Sequence, residues 1–165
     1  MLEEIIVVKS DRIVGVRKHG DLQAAGEGMV LVGDNPVVLI QDPLFSNELP
    51  DLKNFIAVAF HDIVPSSLRA IELSGLTPFD TMLAKRIINF VEPFYHSQGA
   101  SRLYVACPHG RARGNSVAAG LNLIFPSSIT GSVSPESINT YIVEIFRTVG
   151  LEAGVDRNVF VAGRR

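Results

Sequence analysis

The chain has one cysteine and no tryptophan. A single cysteine cannot close an internal disulfide, which fits a reducing, cytoplasmic setting. It leaves Cys107 with two readings, a small apolar core filler or a chemically active thiol. Charged residues make up only 19% and sum to -2, so the basic excess expected of a nucleic-acid binder is missing. No apolar run is long enough to cross a bilayer, so no membrane span is expected. The opening Met1-Leu2-Glu3-Glu4 lacks the basic and apolar regions of a secretory signal. Internal repeats, low-complexity tracts and composition breaks are also lacking, and one domain is expected over 1–165.

What is present is apolar residue, 47% of 165, enough for a real core and against disorder. The first half reads as strands. β-branched residues cluster at 4–9, 12–16, 29–32 and 36–41, separated by glycine-containing breaks at His19-Gly20-Asp21, Gly26-Glu27-Gly28 and Gly33-Asp34-Asn35. A short apolar run at 55–60 predicts a buried strand. Thr77-Pro78 then reads as a helix start, followed by Phe79, Met82, Leu83, Ile87, Phe90, Val91 and Phe94 at helical spacing. Pro93 is expected to kink or end that helix, and Gln98-Gly99 to turn the chain. A strand at 102–106 and a helix over 114–123 follow. Ser134-Pro135-Glu136 opens a last helix, with Ile138, Tyr141, Ile142, Ile145, Phe146 and Val149 on one face and Gly150 as its stop. Strands followed by alternating helix and strand predict an α/β fold, a sheet covered by helices.

The chemistry is concentrated in Cys107-Pro108-His109-Gly110-Arg111-Ala112-Arg113-Gly114. Cysteine ends a strand, arginine follows six positions later, and a helix begins just beyond. A loop wrapped at a helix N-terminus points backbone N–H groups inward and adds the positive end of the helix dipole. Positive potential of that kind favours the thiolate form of a cysteine, the form that attacks phosphorus. Gly110 lets the loop curl tightly, and Arg113 can offer its planar fork to two phosphate oxygens. Given one cysteine, a glycine three positions on and an arginine six positions on coincide about once in two hundred by composition.

This segment resembles the C-x5-R signature of the protein tyrosine and dual-specificity phosphatase superfamily. The stretches Val37-Val38-Leu39-Ile40-Gln41-Asp42-Pro43 and Phe60-His61-Asp62-Ile63 are similar to those of compact bacterial tyrosine-phosphatase-like proteins. The resemblance runs from Val37 to the last helix, with only the loop specific. It implies a central mixed sheet flanked by helices, a phosphocysteine intermediate, and neither metal nor cofactor. Cys107 is then the nucleophile and Arg113 the transition-state clamp, with Pro108, His109, Gly110, Arg111, Ala112 and Gly114 building the substrate cradle. The partner implied is a phosphorylated protein or a small-molecule phosphate.

The family also uses an aspartate as general acid and base. Asp62, ending an apolar strand before a Pro/Ser-containing loop at 63–67, is the candidate, with a surface-turn role as its bland reading. Asp80 is the rival, although its place near a helix start already accounts for it. Asp42-Pro43 reads as a turn. Two departures stand out: Ala106 where the family commonly has histidine before the cysteine, and Gly114 where it has a serine or threonine hydroxyl. Ser116 lies one turn further on, as a stand-in hydroxyl or a plain helix residue. His109 and Arg111 are either rim cations suited to multiply phosphorylated substrates, such as inositol phosphates, or solvated loop residues. A phosphate-binding module without turnover, and a metal site of Cys107, His109, His61 and Asp62, remain as rivals.

Overall fold

A computed structural model describes residues 1–16, 26–44, 50–64, 72 and 74–153. Five strands, β1 (Glu4–Lys9), β2 (Val37–Gln41), β3 (Phe55–Ala59), β4 (Arg102–Cys107) and β5 (Ser128–Gly131), form one sheet in the order β3-β2-β4-β1-β5. Every pairing is parallel. The expectation of a mixed sheet is therefore corrected. Parallel strands are covered on both faces, which is why β2 reads as the unbroken apolar run Val37-Val38-Leu39-Ile40.

Three helices, α1 (Thr81–His96), α2 (Ala112–Ile124) and α3 (Thr140–Glu152), share one face of the sheet. Their buried residues pack with Ile5, Val7, Val38, Ile40, Val58, Leu103 and Val105. α2 and α3 approach closely because Gly120 faces the Phe146 ring and Gly150 faces Ile124. Gly150 thus lies inside α3, which runs on to Glu152, and serves close packing rather than helix termination. Phe60 meets Phe79 edge to face and Phe79 stacks on Phe146, with centroids 4.9 and 5.3 Å apart, joining the exit of β3 to α1 and α3. Each is fully buried, worth about 2–3 kcal/mol of hydrophobic stabilisation.

The opposite face is covered by irregular chain. The segments at 12–16 and 29–32 are not strands: they exchange a single bridge, Ile13 with Val30, after a short 3-10 turn at Ser10–Arg12. Their apolar character comes from covering the sheet, since Ile13 and Val32 pack against Val37, Leu39, Tyr104 and Ala106. Gly28 and Gly33 take positive φ in the turns expected there, whereas the break at 19–21 lies outside the described residues.

Helix starts differ from expectation. α1 is capped by Asp80, whose Oδ1 accepts from the Leu83 N–H at 2.8 Å, not by Thr77. The helix passes through Pro93 and ends three residues later, at His96. Pro135–Ser137 forms a separate 3-10 turn, and α3 begins after it, capped by Asn139. No helix among the described residues is long and apolar enough to cross a membrane.

Candidate functional site

In open parallel sheets, ligands bind outside the carboxyl ends of the strands. Here a cleft of about 580 Å³ opens at that edge, lined by Lys9, Asp42, His61, Asp62, Cys107, His109, Arg111, Ala112 and Arg113. It gathers the ends of β1, β2, β3 and β4 and the first turn of α2 in one place.

The loop from β4 to α2 is shaped by two glycines. Gly110 has φ +60° and donates its N–H to the Cys107 carbonyl at 3.1 Å. A Cβ there would lie 3.0 Å from the Lys9 nitrogen and 3.2 Å from Lys9 Cα, so both conformation and space require glycine. Gly114 is buried in the first turn of α2, and a Cβ on it would meet Cys107 Sγ at 3.3 Å and Val7 Cγ1 at 3.1 Å. The absent hydroxyl thus has a packing reason: α2 sits too close to the thiol and β1 for a side chain without adjustment.

No side chain caps α2 at Arg111, so its first-turn N–H groups are not taken by a capping oxygen. Cys107 is only 2% exposed and belongs to the core cluster while also lining the cleft, so the thiol forms part of its floor. Arg113 reaches across the strand ends, its Nη1 donating to the Phe60 carbonyl at 3.0 Å and, more weakly, to that of Gln41 at 3.5 Å. Among the described residues, no acceptor takes its other guanidinium N–H groups.

Asp62 is exposed and lines the same cleft, and its Oδ1 accepts from the Asn139 side-chain amide at 2.9 Å. Asp80 is not in the cleft lining; it caps α1. Asp42 lines the cleft and makes the expected turn, accepting from the Leu44 N–H. Of the predicted cradle, His109, Arg111 and Ala112 line the cleft, while Pro108, Gly110 and Gly114 are not among its lining residues. Ser116 is fully buried and its hydroxyl is engaged, donating to the Ala112 carbonyl and accepting from the Asn139 N–H.

Four positions at or behind the cleft were not read as part of a phosphate site in the sequence, His61 having entered only as a ligand in the rival metal reading. Lys9 pairs in register with Cys107 across β1 and β4, and in-register neighbours project to the same face, so it stands at the rim. His61 receives the Thr77 N–H on Nδ1 at 2.8 Å, which leaves the neutral ring's proton on Nε2 as a donor. Asn115, buried, donates to the carbonyls of Arg111 and Ser132 and accepts from the Ser134 N–H, clamping the start of α2. Asn139 is the fourth. The two-residue period of a strand could have placed Lys9 with Ile5 and Val7 on the thiol's face; the other three depend on tertiary contacts.

Glu136 stands beyond the rim, near Arg111. Its carboxyl is held below the ordinary range by a bond from its own backbone N–H, then by the Ser134 hydroxyl, with the Arg111 charge adding to the effect. Among the described residues, no group of three or more His, Cys, Asp or Glu side chains is arranged to hold a metal. No family model, no curated protein and no solved structure matches the chain.

Proposed function

We propose that the chain is a cysteine-dependent phosphomonoester hydrolase that works through a phosphocysteine intermediate. The observation carrying this reading is that Asp62, distant in sequence from Cys107 and Arg113, lines one cleft with them at the carboxyl edge of the sheet. In the first step Cys107 Sγ attacks phosphorus, the ester P–O bond breaks, and the leaving oxygen takes the Asp62 proton. In the second, the Asp62 carboxylate takes a proton from water, whose oxygen attacks phosphorus. The S–P bond breaks, releasing inorganic phosphate and restoring the thiolate. Arg113 and the α2 first-turn N–H groups hold the equatorial oxygens, where charge spreads in the transition state.

Lys9, His61, His109 and Arg111 around the cleft favour a substrate with more than one anionic group, such as a multiply phosphorylated small molecule. Gly114 favours a second reading, a phosphate-ligand-binding module with little turnover, because no hydroxyl stands beside Sγ to help it leave phosphorus. One experiment separates the two. The purified protein is mixed rapidly with an aryl phosphate in the presence of chelator, and product release is followed beside acid-quenched phosphoprotein. A burst with sustained turnover supports the hydrolase. Binding without a burst supports the module, and activity that vanishes with chelator and returns with a divalent metal sinks both.

A further inference from the structure

We infer that Asn139 is the positioning residue for Asp62, fixing which of its two oxygens handles the proton; this rests on the hydrolase reading above. Asn139 caps α3, its Oδ1 accepting from the Tyr141 N–H at 3.1 Å. With the oxygen committed to the helix, the amide nitrogen must face the other way. There it donates to Asp62 Oδ1 at 2.9 Å and to the Ile63 carbonyl at 3.2 Å. Oδ1 of Asp62 is thereby an acceptor, and Oδ2 is the atom left to carry a proton toward the cleft.

The same residue is tied to the helix behind the cradle. Its backbone N–H donates to Ser116 Oγ at 2.8 Å, and that hydroxyl donates to the Ala112 carbonyl at 2.6 Å. A continuous hydrogen-bonded path thus runs from Ala112, the neighbour of Arg113, through Ser116 and Asn139 to Asp62. Asp62 is held relative to the helix that carries the arginine, although the two come from different strand ends.

The donor's chemistry suits the task. A capping position needs only an oxygen, and serine or aspartate would supply it as well as asparagine does. The amide N–H is what those residues lack. A lysine or arginine partner would hold Asp62 ionised, whereas a neutral amide orients the carboxyl while letting it gain and lose a proton in each cycle.

The test uses the full chain and two esters, a nitrophenyl phosphate and an alkyl phosphate. Asn139→Ser keeps the capping oxygen and removes the amide donor. The alkyl ester should lose about tenfold or more in kcat and the nitrophenyl ester about threefold or less, because only the poor leaving group needs a delivered proton. KM should hold for both, and in an Asp62→Asn background the same change should cost the alkyl ester nothing further. Asn139→Thr, also a cap and also without the amide donor, serves if the serine variant folds poorly, and should show the same split. Equal losses on both esters, or full additivity with Asp62→Asn, would overturn the inference and leave Asn139 a structural cap. If Asp62→Asn itself shows no dependence on the leaving group, or the wild type shows no turnover, the hydrolase reading falls and this inference with it.

Discussion

Arg113 Nη1 lies 3.0 Å from the carbonyl oxygen of Phe60, so a side chain from the first turn of α2 is anchored at the exit of β3. The anchor holds one edge of the guanidinium and directs the remaining N–H groups. Lysine would keep the charge but has no rigid fork to span a carbonyl and a phosphoryl oxygen together. Arg113→Lys should therefore lower kcat/KM on an aryl phosphate by about a hundredfold or more, the scale of one lost transition-state donor. Steady-state kinetics beside a melting curve checks this, and a loss of only a few-fold would put Arg113 outside the catalytic contacts.

What could be read beforehand divides along physical lines. β1, β2, β3 and β4 were legible because buried parallel strands are runs of valine, isoleucine and leucine bounded by turn residues. Their direction was not, since strand order and polarity are decided by crossovers that leave no local mark. Ile13 and Val32 misled because a loop covering a sheet must be as apolar as a strand within it. β5 is a four-residue edge strand, Ser-Ile-Thr-Gly, too short to show a period. In the cleft, Cys107 and Arg113 flank one short loop and could be paired by spacing. Lys9, His61 and Asn139 meet the loop only through register and packing.

The two aspartates should part company on mutation. Asp62→Asn should slow an alkyl phosphate by about a hundredfold and a nitrophenyl phosphate far less, because nitrophenolate leaves nearly unaided. Asp80→Asn should leave both rates in place, since asparagine is also a good cap and can still accept from the Leu83 N–H. A leaving-group effect on Asp80→Asn, with none on Asp62→Asn, would reverse the assignment.

Gly120→Ala tests the packing of α2 on α3 independently of any function. The added methyl would overlap the Phe146 ring, with Cγ only 2.6 Å from the new carbon. Phe146 stacks on Phe79 and cannot withdraw freely, so the overpacking should cost about 1–3 kcal/mol, read by denaturant unfolding. Unchanged stability would mean that the two helices are more loosely apposed than this contact implies.

Glu136 makes a prediction about acid. Its folded-state carboxyl is lowered, so its contribution is present above the ordinary glutamate range and is lost as pH falls through the folded value. Glu136→Gln should thus melt slightly below the wild type at neutral pH, with the gap closing toward strong acid. Because the group is fully exposed, the effect should be small and should fade in high salt. A gap that widens on acidification would contradict the sign.

The thiol decides between the hydrolase and every bland alternative. Cys107 is nearly inaccessible from bulk solvent except through the cleft, where Lys9, His109, Arg111 and Arg113 stand around it. A negatively charged alkylating agent should therefore outpace its neutral analogue, iodoacetate over iodoacetamide, reversing their usual order. Vanadate or tungstate should block the reaction by occupying the cradle that the α2 N–H groups and Arg113 form. Cys107→Ser should abolish turnover and still bind tungstate, since a hydroxyl is a weak nucleophile while the cradle remains. Intact-protein mass spectrometry after timed alkylation reads the first two results, and calorimetric titration reads the third. A cysteine that merely fills the core would react slowly with both agents and ignore the oxyanion, and that outcome would remove the phosphate site along with the enzyme.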